Sequence, residues 1–207
     1  MSRRRSAPGL SADLRQQVAE GAARLMAEHG IQDFALAKRK AAERLGLRPS
    51  AGGLPSNAEI QAQLAQRQRI FEAGTHDDRV VRLRTVAADV MHALHSFRPK
   101  LVGSVLDGTA TSNSAIEIHV FSDAPETVAG ALENHGLHTR DRQRRYRFGG
   151  DVAQLIPGFE LAVDGASLEI MVFPERASAH APLSPIDGKP MRRASRSAVI
   201  AMLGAAT

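Results

Sequence analysis

At Lys100 the apolar residues of this chain change from a helical to an extended period. Before it they recur every three or four residues; the first runs after it, Leu101-Val102 and Ile116–Phe121, are short or alternate. A spacing near 3.6 belongs to helices that bury one stripe, and a spacing of two belongs to strands that bury one face. This switch puts a run of helices first and a sheet, with one or two helices of its own, after them. The expected fold class is therefore α+β, a helical N-terminal part followed by a mixed β-sheet with flanking helices.

The helical part can be divided by its stop signals. Residues 1–10, MSRRRSAPGL, read as a disordered basic arm, and they lack the apolar stretch of a secretory signal. A helical region is expected over 11–75. Ser11 suits an N-cap, and Leu14, Val18, Leu25 and Met26 follow at helical spacing until Gly30. Asp33 opens a second helix with Phe34, Ala37, Ala41 and Leu45 inward, ended by Gly46. Residues 48–55, RPSAGGLP, have loop composition. Ser56 and Glu59 make a capping box for a third helix carrying Ile60, Leu64 and Ile70. A break is expected at Gly74-Thr75. A fourth helix then carries Val80, Leu83, Val86, Val90 and Leu94 to the Phe97-Arg98-Pro99 stop.

The sheet part is expected over 76–207. Leu101-Val102 and Ile116–Phe121 read as strands, and 125–135 as a helix with Pro125 near its start. Residues 137–148 read as a basic strand, turned by Gly149-Gly150 onto 154–163. Asp164-Gly165 signals a second hairpin, onto 167–173. A loop over 174–190 and a last helix over 193–203 complete the chain.

Composition narrows the chemistry. The 207 residues allow one domain or two small ones, and 43% hydrophobic residues support a core. With 4% aromatics and no Trp, that core is built of Ala, Leu, Val and Ile. There is no Cys, which excludes disulfides, thiolate metal sites and thiol nucleophiles. The net charge of +5 is a mild bias towards anionic partners such as nucleotides or RNA. No apolar run approaches the roughly 20 residues of a membrane span, so no membrane partner and a cytoplasmic location are expected.

The sharpest chemical clue is 101–121, LVGSVLDGTATSNSAIEIHVF. Glycine lets backbone approach a phosphate, and a serine hydroxyl can donate to it, so Gly103 and Ser104 are candidate phosphate ligands. Glu117 and His119 are two apart and share a strand face. Glu169, in SLEIMVF, belongs beside Glu117 if those strands pair. Two adjacent carboxylates repel, and a divalent cation such as Mg²⁺ relieves that repulsion. Glu117, Glu169 and His119 are thus the metal candidates.

These residues resemble the nucleotidyltransferase superfamily with the DNA polymerase beta fold. That family carries Gly-Ser after a strand, Asp-x-Asp on the next strand and a third carboxylate on a later one. Gly103-Ser104 matches the first element, Ser114–Ile118 falls where the Asp-x-Asp strand is expected, and Leu168-Glu169-Ile170 falls where the third carboxylate belongs. The resemblance covers about 86–174. It implies a protein that binds a nucleoside triphosphate with Mg²⁺ and transfers a nucleoside monophosphate to a hydroxyl on a protein, a small molecule or RNA. Glu117 and Glu169 would then be catalytic. The pattern departs at its centre, where Ala115 and Glu117 stand in the two aspartate positions. That departure supports an alternative, a catalytically degenerate nucleotide-, RNA- or partner-binding module of the same fold.

Other clusters fall outside this motif. Arg140, Arg142, Arg144, Arg145 and Arg147 crowd one strand, with Tyr146 among them. They suit phosphate or RNA-backbone contact with a stacking ring, or an edge strand kept soluble by charge. Lys189, Arg192, Arg193 and Arg196 sit at the start of the last helix, where positive charge opposes the helix dipole. His92 and His95 lie one helical turn apart, half of a metal site at most. The first two helices look like the opening of a helix-turn-helix, which makes a DNA-binding regulator the third reading.

Overall fold

The computed structural model describes residues 10–47, 53–71, 73–149 and 152–205. Most of the expected basic arm, much of the 48–55 loop and Gly150 of the Gly149-Gly150 turn lie outside the described residues, as does the side chain of Ile70. The chain divides into two compact units, Met1–Ala73 with Pro185–Asp187, and Gly74–Ser184 with Gly188–Thr207.

The helical unit is built by its caps. In α1 (Ala12–His29) the Ser11 hydroxyl accepts from the Leu14 amide, and Gly30 closes the helix in the left-handed region. In α2 (Phe34–Arg44) the Asp33 carboxylate accepts from the Ala35 and Leu36 amides. In α3 (Asn57–Phe71) the capping box is reciprocal: Glu59 N–H donates to Ser56 Oγ at 3.1 Å, and Ser56 N–H donates to Glu59 Oε2 at 2.7 Å. Val18, Ala22, Leu25, Ala37, Ala41, Ile60 and Leu64 form the core, and Leu10 packs against it. Leu45 is a correction. Helix α2 ends at Arg44, so Leu45 leaves the inward stripe as the C-cap and is exposed.

The second unit begins with α4 (Ala73–Ala93), which contains Gly74 and Thr75, so the expected break is not there. It continues through β1 (Lys100–Val102), α5 (Gly103–Asp107), β2 (Ile116–Phe121), α6 (Pro125–Asn134), β3 (Arg140–Tyr146), β4 (Gln154–Val163), β5 (Ala166–Phe173) and α7 (Arg196–Gly204). The strand order is β1-β2-β5-β4-β3. β2 and β5 are parallel, and every other pair is antiparallel. The described residues thus form an α+β protein with seven helices and a five-stranded mixed sheet.

Alternation assigns the two faces of the sheet. Leu101, Ile116, Ile118, Val120, Leu168, Ile170 and Val172 point to one face, where Leu83, Met91 and Leu94 of α4, Leu132 of α6 and Val199 of α7 cover them. Asp164 and Gly165 both have positive φ, at 50° and 74°, the geometry of a primed two-residue turn, and they lock Val163 opposite Ala166. The outer edge of β1 is closed by paired hydrogen bonds between Leu101 and Ala194. β3 remains an edge strand.

Two further expectations change. Gly103–Asp107 is a short helix rather than a bare turn, closed by Gly108 at φ 72°. The Arg84 guanidinium donates to the Val105 and Leu106 carbonyls and satisfies its C-terminal end. The last helix starts at Arg196, capped by Ser195. Lys189, Arg192 and Arg193 therefore precede it and do not oppose its dipole.

Candidate functional site

The other face of the sheet is where the predicted residues meet. Parallel pairing places Glu117 of β2 beside Glu169 of β5. The primed turn fixes the next register and places Glu160 of β4 on the other side of Glu169. Three acidic residues thus stand in a row across three strands. Gly103 closes the end of the row. Its φ of 71° needs glycine, and a Cβ there would lie 2.8 Å from Glu117 Oε1. The Gly-Ser turn and the acidic strand therefore touch, as their spacing suggested. No side chain caps α5, and the Ser104 hydroxyl makes no hydrogen bond among the described residues.

Arginines from β3 fill the space between the carboxylates. Arg144 Nη1 lies 2.7 Å from Glu117 Oε2 and 3.2 Å from Glu169 Oε2. Arg142 Nη2 lies 2.9 Å from Glu169 Oε1, and its Nη1 lies 3.3 Å from Glu160 Oε2. Gly158 of β4 lets this strand approach β5 closely between the arginines and the acids. It stands between Arg142 and Met171, and a Cβ there would sit 2.3 Å from the Ile170 carbonyl oxygen. Burial is the largest influence on Glu117. It raises that carboxyl above the ordinary range against the pull of Arg144, with the nearby Glu169 charge adding to the rise. Burial opposes the charge of Arg144, but Glu117, Tyr146 and Glu169 outweigh it and hold the guanidinium more firmly protonated than usual.

The donors as they stand do not fit a pair of divalent cations. Ala115, which stands where the resembled motif has its first aspartate, is buried. Glu117 and Glu169 both bind guanidinium. His119 shares their face, but its ring is enclosed by Phe173 and Tyr146, with centroids at 4.4 and 5.5 Å. Burial lowers its pKa well below the ordinary histidine value, and Arg193 and Arg144 lower it further. The remaining acids nearby are engaged elsewhere: Asp107 by Arg192 at 2.9 Å, and Asp123 by the Glu175 amide. Among the described residues no group of three or more His, Asp or Glu is placed to hold a metal ion. The exposed His92 and His95 have centroids 6.2 Å apart and no third partner of that kind.

Sequence reasoning missed Glu160, although the Asp164-Gly165 turn carried the signal, since a two-residue hairpin dictates which residue faces Glu169. It singled out Arg142 and Arg144 as phosphate ligands; in the structure they serve the carboxylates. Arg140, Arg145 and Arg147 are exposed and make no ion pair among the described residues. A separate groove of about 440 Å³ is lined by helical-unit residues, including Arg24, Arg44 and Arg67, and by none of the sheet residues. No helix among the described residues is long and apolar enough to cross a membrane. No family model matches this chain, and no curated protein matches it.

Proposed function

We propose that this chain is a nucleotidyltransferase-type module in which arginine has taken over the role of the metal, and that it binds a nucleotide without transferring it. The observation that carries this reading is the Arg144 guanidinium within 3.2 Å of both Glu117 and Glu169. One fixed positive charge relieves the same carboxylate repulsion that a bridging cation would relieve. Nucleotidyl transfer needs more positive charge than this at the transferred phosphoryl group, and the two arginine charges here are already matched by acids. Phosphate recognition would fall to Gly103, Ser104 and the uncapped first turn of α5. Calorimetric titration with ATP, GTP, CTP and UTP, with and without Mg²⁺, tests this. The reading expects binding that does not require Mg²⁺; no binding at millimolar nucleotide would sink it.

A second reading, an active enzyme, is favoured by one observation. Gly103 abuts the Glu117 carboxylate, so a phosphate bound at the Gly-Ser turn would lie beside that acid. Arg142 and Arg144 are more than one-third exposed or close to it, at 38% and 35%, so they have room to swing aside. On that reading Mg²⁺-dependent transfer is measurable and Glu117→Ala abolishes it. The helix-turn-helix reading is set aside, because residues 45–56 separate α2 from α3 and a recognition helix follows its partner after a short turn.

A further inference from the structure

The sheet face carries a second polar cluster that nucleotide recognition at the Gly103-Ser104 turn does not use. His119, Tyr146 and Arg193 surround Phe173. Its ring centroid is 4.4 Å from that of His119, 5.2 Å from that of Tyr146 and 5.5 Å from the Arg193 guanidinium carbon. His119 is 0% and Tyr146 5% exposed. Both ring nitrogens of His119, the Tyr146 hydroxyl, and Nε and Nη2 of Arg193 are buried without a hydrogen-bond partner among the described residues. Protein interiors rarely leave polar atoms unpaired, and five such atoms on three side chains that flank one ring point to something that pairs with them.

The pattern of free atoms narrows what that is. Arg193 Nη1 donates to the Ala177 and Ser178 carbonyls at 3.2 and 3.3 Å. The guanidinium is also held over Phe121, 5.1 Å from its centroid. Its free pair, Nε and Nη2, is the edge of the fork that takes two oxygens of one carboxylate or phosphate side-on. No carboxylate of the described residues forms an ion pair with Arg193. The neighbouring charge of Arg144 is already matched by Glu117 and Glu169. Water would satisfy the N–H groups but leave the Arg193 charge without a counter-charge.

We infer that Arg193, Tyr146 and His119 form a binding site for an oxyanion, a carboxylate or phosphoryl group of a ligand, with the Arg193 fork as its anchor and the Tyr146 hydroxyl and a His119 ring N–H as further donors. The site stands independently of the nucleotidyltransferase reading.

Thermal melting of the full chain tests it, with inorganic phosphate and acetate as probes and chloride as the control at matched ionic strength. At least one oxyanion raises the melting temperature above the chloride value, and whichever raises it more identifies a phosphoryl or a carboxylate ligand. Arg193→Lys keeps the charge and loses the fork, so the apparent affinity falls roughly tenfold or more. Tyr146→Phe keeps the ring and removes only an unpartnered hydroxyl. In chloride it melts no lower than the wild type, yet its response to the oxyanion is weaker. The proposal is overturned if neither probe acts beyond chloride, or if Tyr146→Phe and Arg193→Lys respond as the wild type does. Nucleotide binding that survives Arg193→Lys and is lost in Ser104→Ala belongs to the Gly-Ser turn, so the two proposals fail separately.

Discussion

At the scale of the residue, the decisive one is Arg144. It sits between two carboxylates that would otherwise repel. Without it Glu169 keeps Arg142 at 2.9 Å, while Glu117, whose side chain is 21% exposed, loses its guanidinium. Arg144→Ala is therefore expected to cost about 1–3 kcal/mol, less than breaking a fully buried pair, read from denaturant unfolding. The same change also opens the position a cation would take. Millimolar Mn²⁺ should raise the melting temperature of Arg144→Ala and leave the wild type unmoved; equal responses would remove Arg144 from the role given to it. Adding Glu117→Gln should recover most of the lost stability without metal, because it removes the charge left behind. Gly158 is the second residue of consequence. A Cβ there meets the backbone of β5 at 2.3 Å, and backbone cannot step aside as a side chain can. Gly158→Ala should destabilise by at least ~1–3 kcal/mol, as overpacking does, and it should also loosen the Arg142 and Arg144 pairs. An unchanged unfolding midpoint would contradict the packing described.

At the scale of the element, α3 depends on one carboxylate. Glu59 closes the capping box and also accepts from Nε and Nη2 of Arg15, each at 2.8 Å. The hydrogen bond from Arg15 is the largest cause, followed by those from Ser56, of a Glu59 pKa lowered from 4.5 to about 2. A carboxyl whose folded pKa lies below its unfolded value adds stability above the unfolded pKa and loses it as pH falls through the folded one. Acid should thus weaken the packing of α1 on α3 progressively between about pH 4.5 and about pH 2. Far-UV circular dichroism of Glu59→Gln should show less of this acid-dependent loss of helix than the wild type, and identical acid limbs would count against the link. The elements also show what the sequence made legible. Ser11, Asp33 and the Ser56–Glu59 box announced three helix starts, because a cap is a local signal carried by a few neighbouring residues. Asp164-Gly165 announced its hairpin for the same reason. The α5 helix was not legible. Five residues are too short for an apolar stripe, and Gly103-Ser104 reads equally well as a turn.

At the scale of the whole molecule, the change of period at Lys100 separates the core of the helical unit from the cores of the sheet, one between the sheet and its helices and a smaller one of Phe121, Tyr146, Ile156, Met171 and Phe173 on the other face. The acidic row was half legible. Strand alternation placed Glu117 and His119 on one face, and pairing with the Glu169 strand was open to inference. What could not be read was the traffic across the sheet. The two hairpin signals placed β3 beside β4 and β4 beside β5, but they did not show that Arg142 and Arg144 extend across β4 to acids on β5 and β2, because that reach is a matter of side-chain length and not of strand order. The surroundings of His119 depend likewise on other strands: Phe173 and Tyr146, which enclose its ring, come from β5 and β3. The molecule that results keeps a Gly-Ser turn against an acidic strand, yet answers the acids with arginine. The most direct test of that claim is transfer itself. The chain is incubated with labelled ATP, GTP, CTP and UTP and with Mg²⁺ or Mn²⁺, and label is sought on the chain, on RNA and on added protein. An arginine-neutralised centre predicts no metal-dependent transfer above background. Metal-dependent labelling that Glu117→Ala abolishes would contradict it.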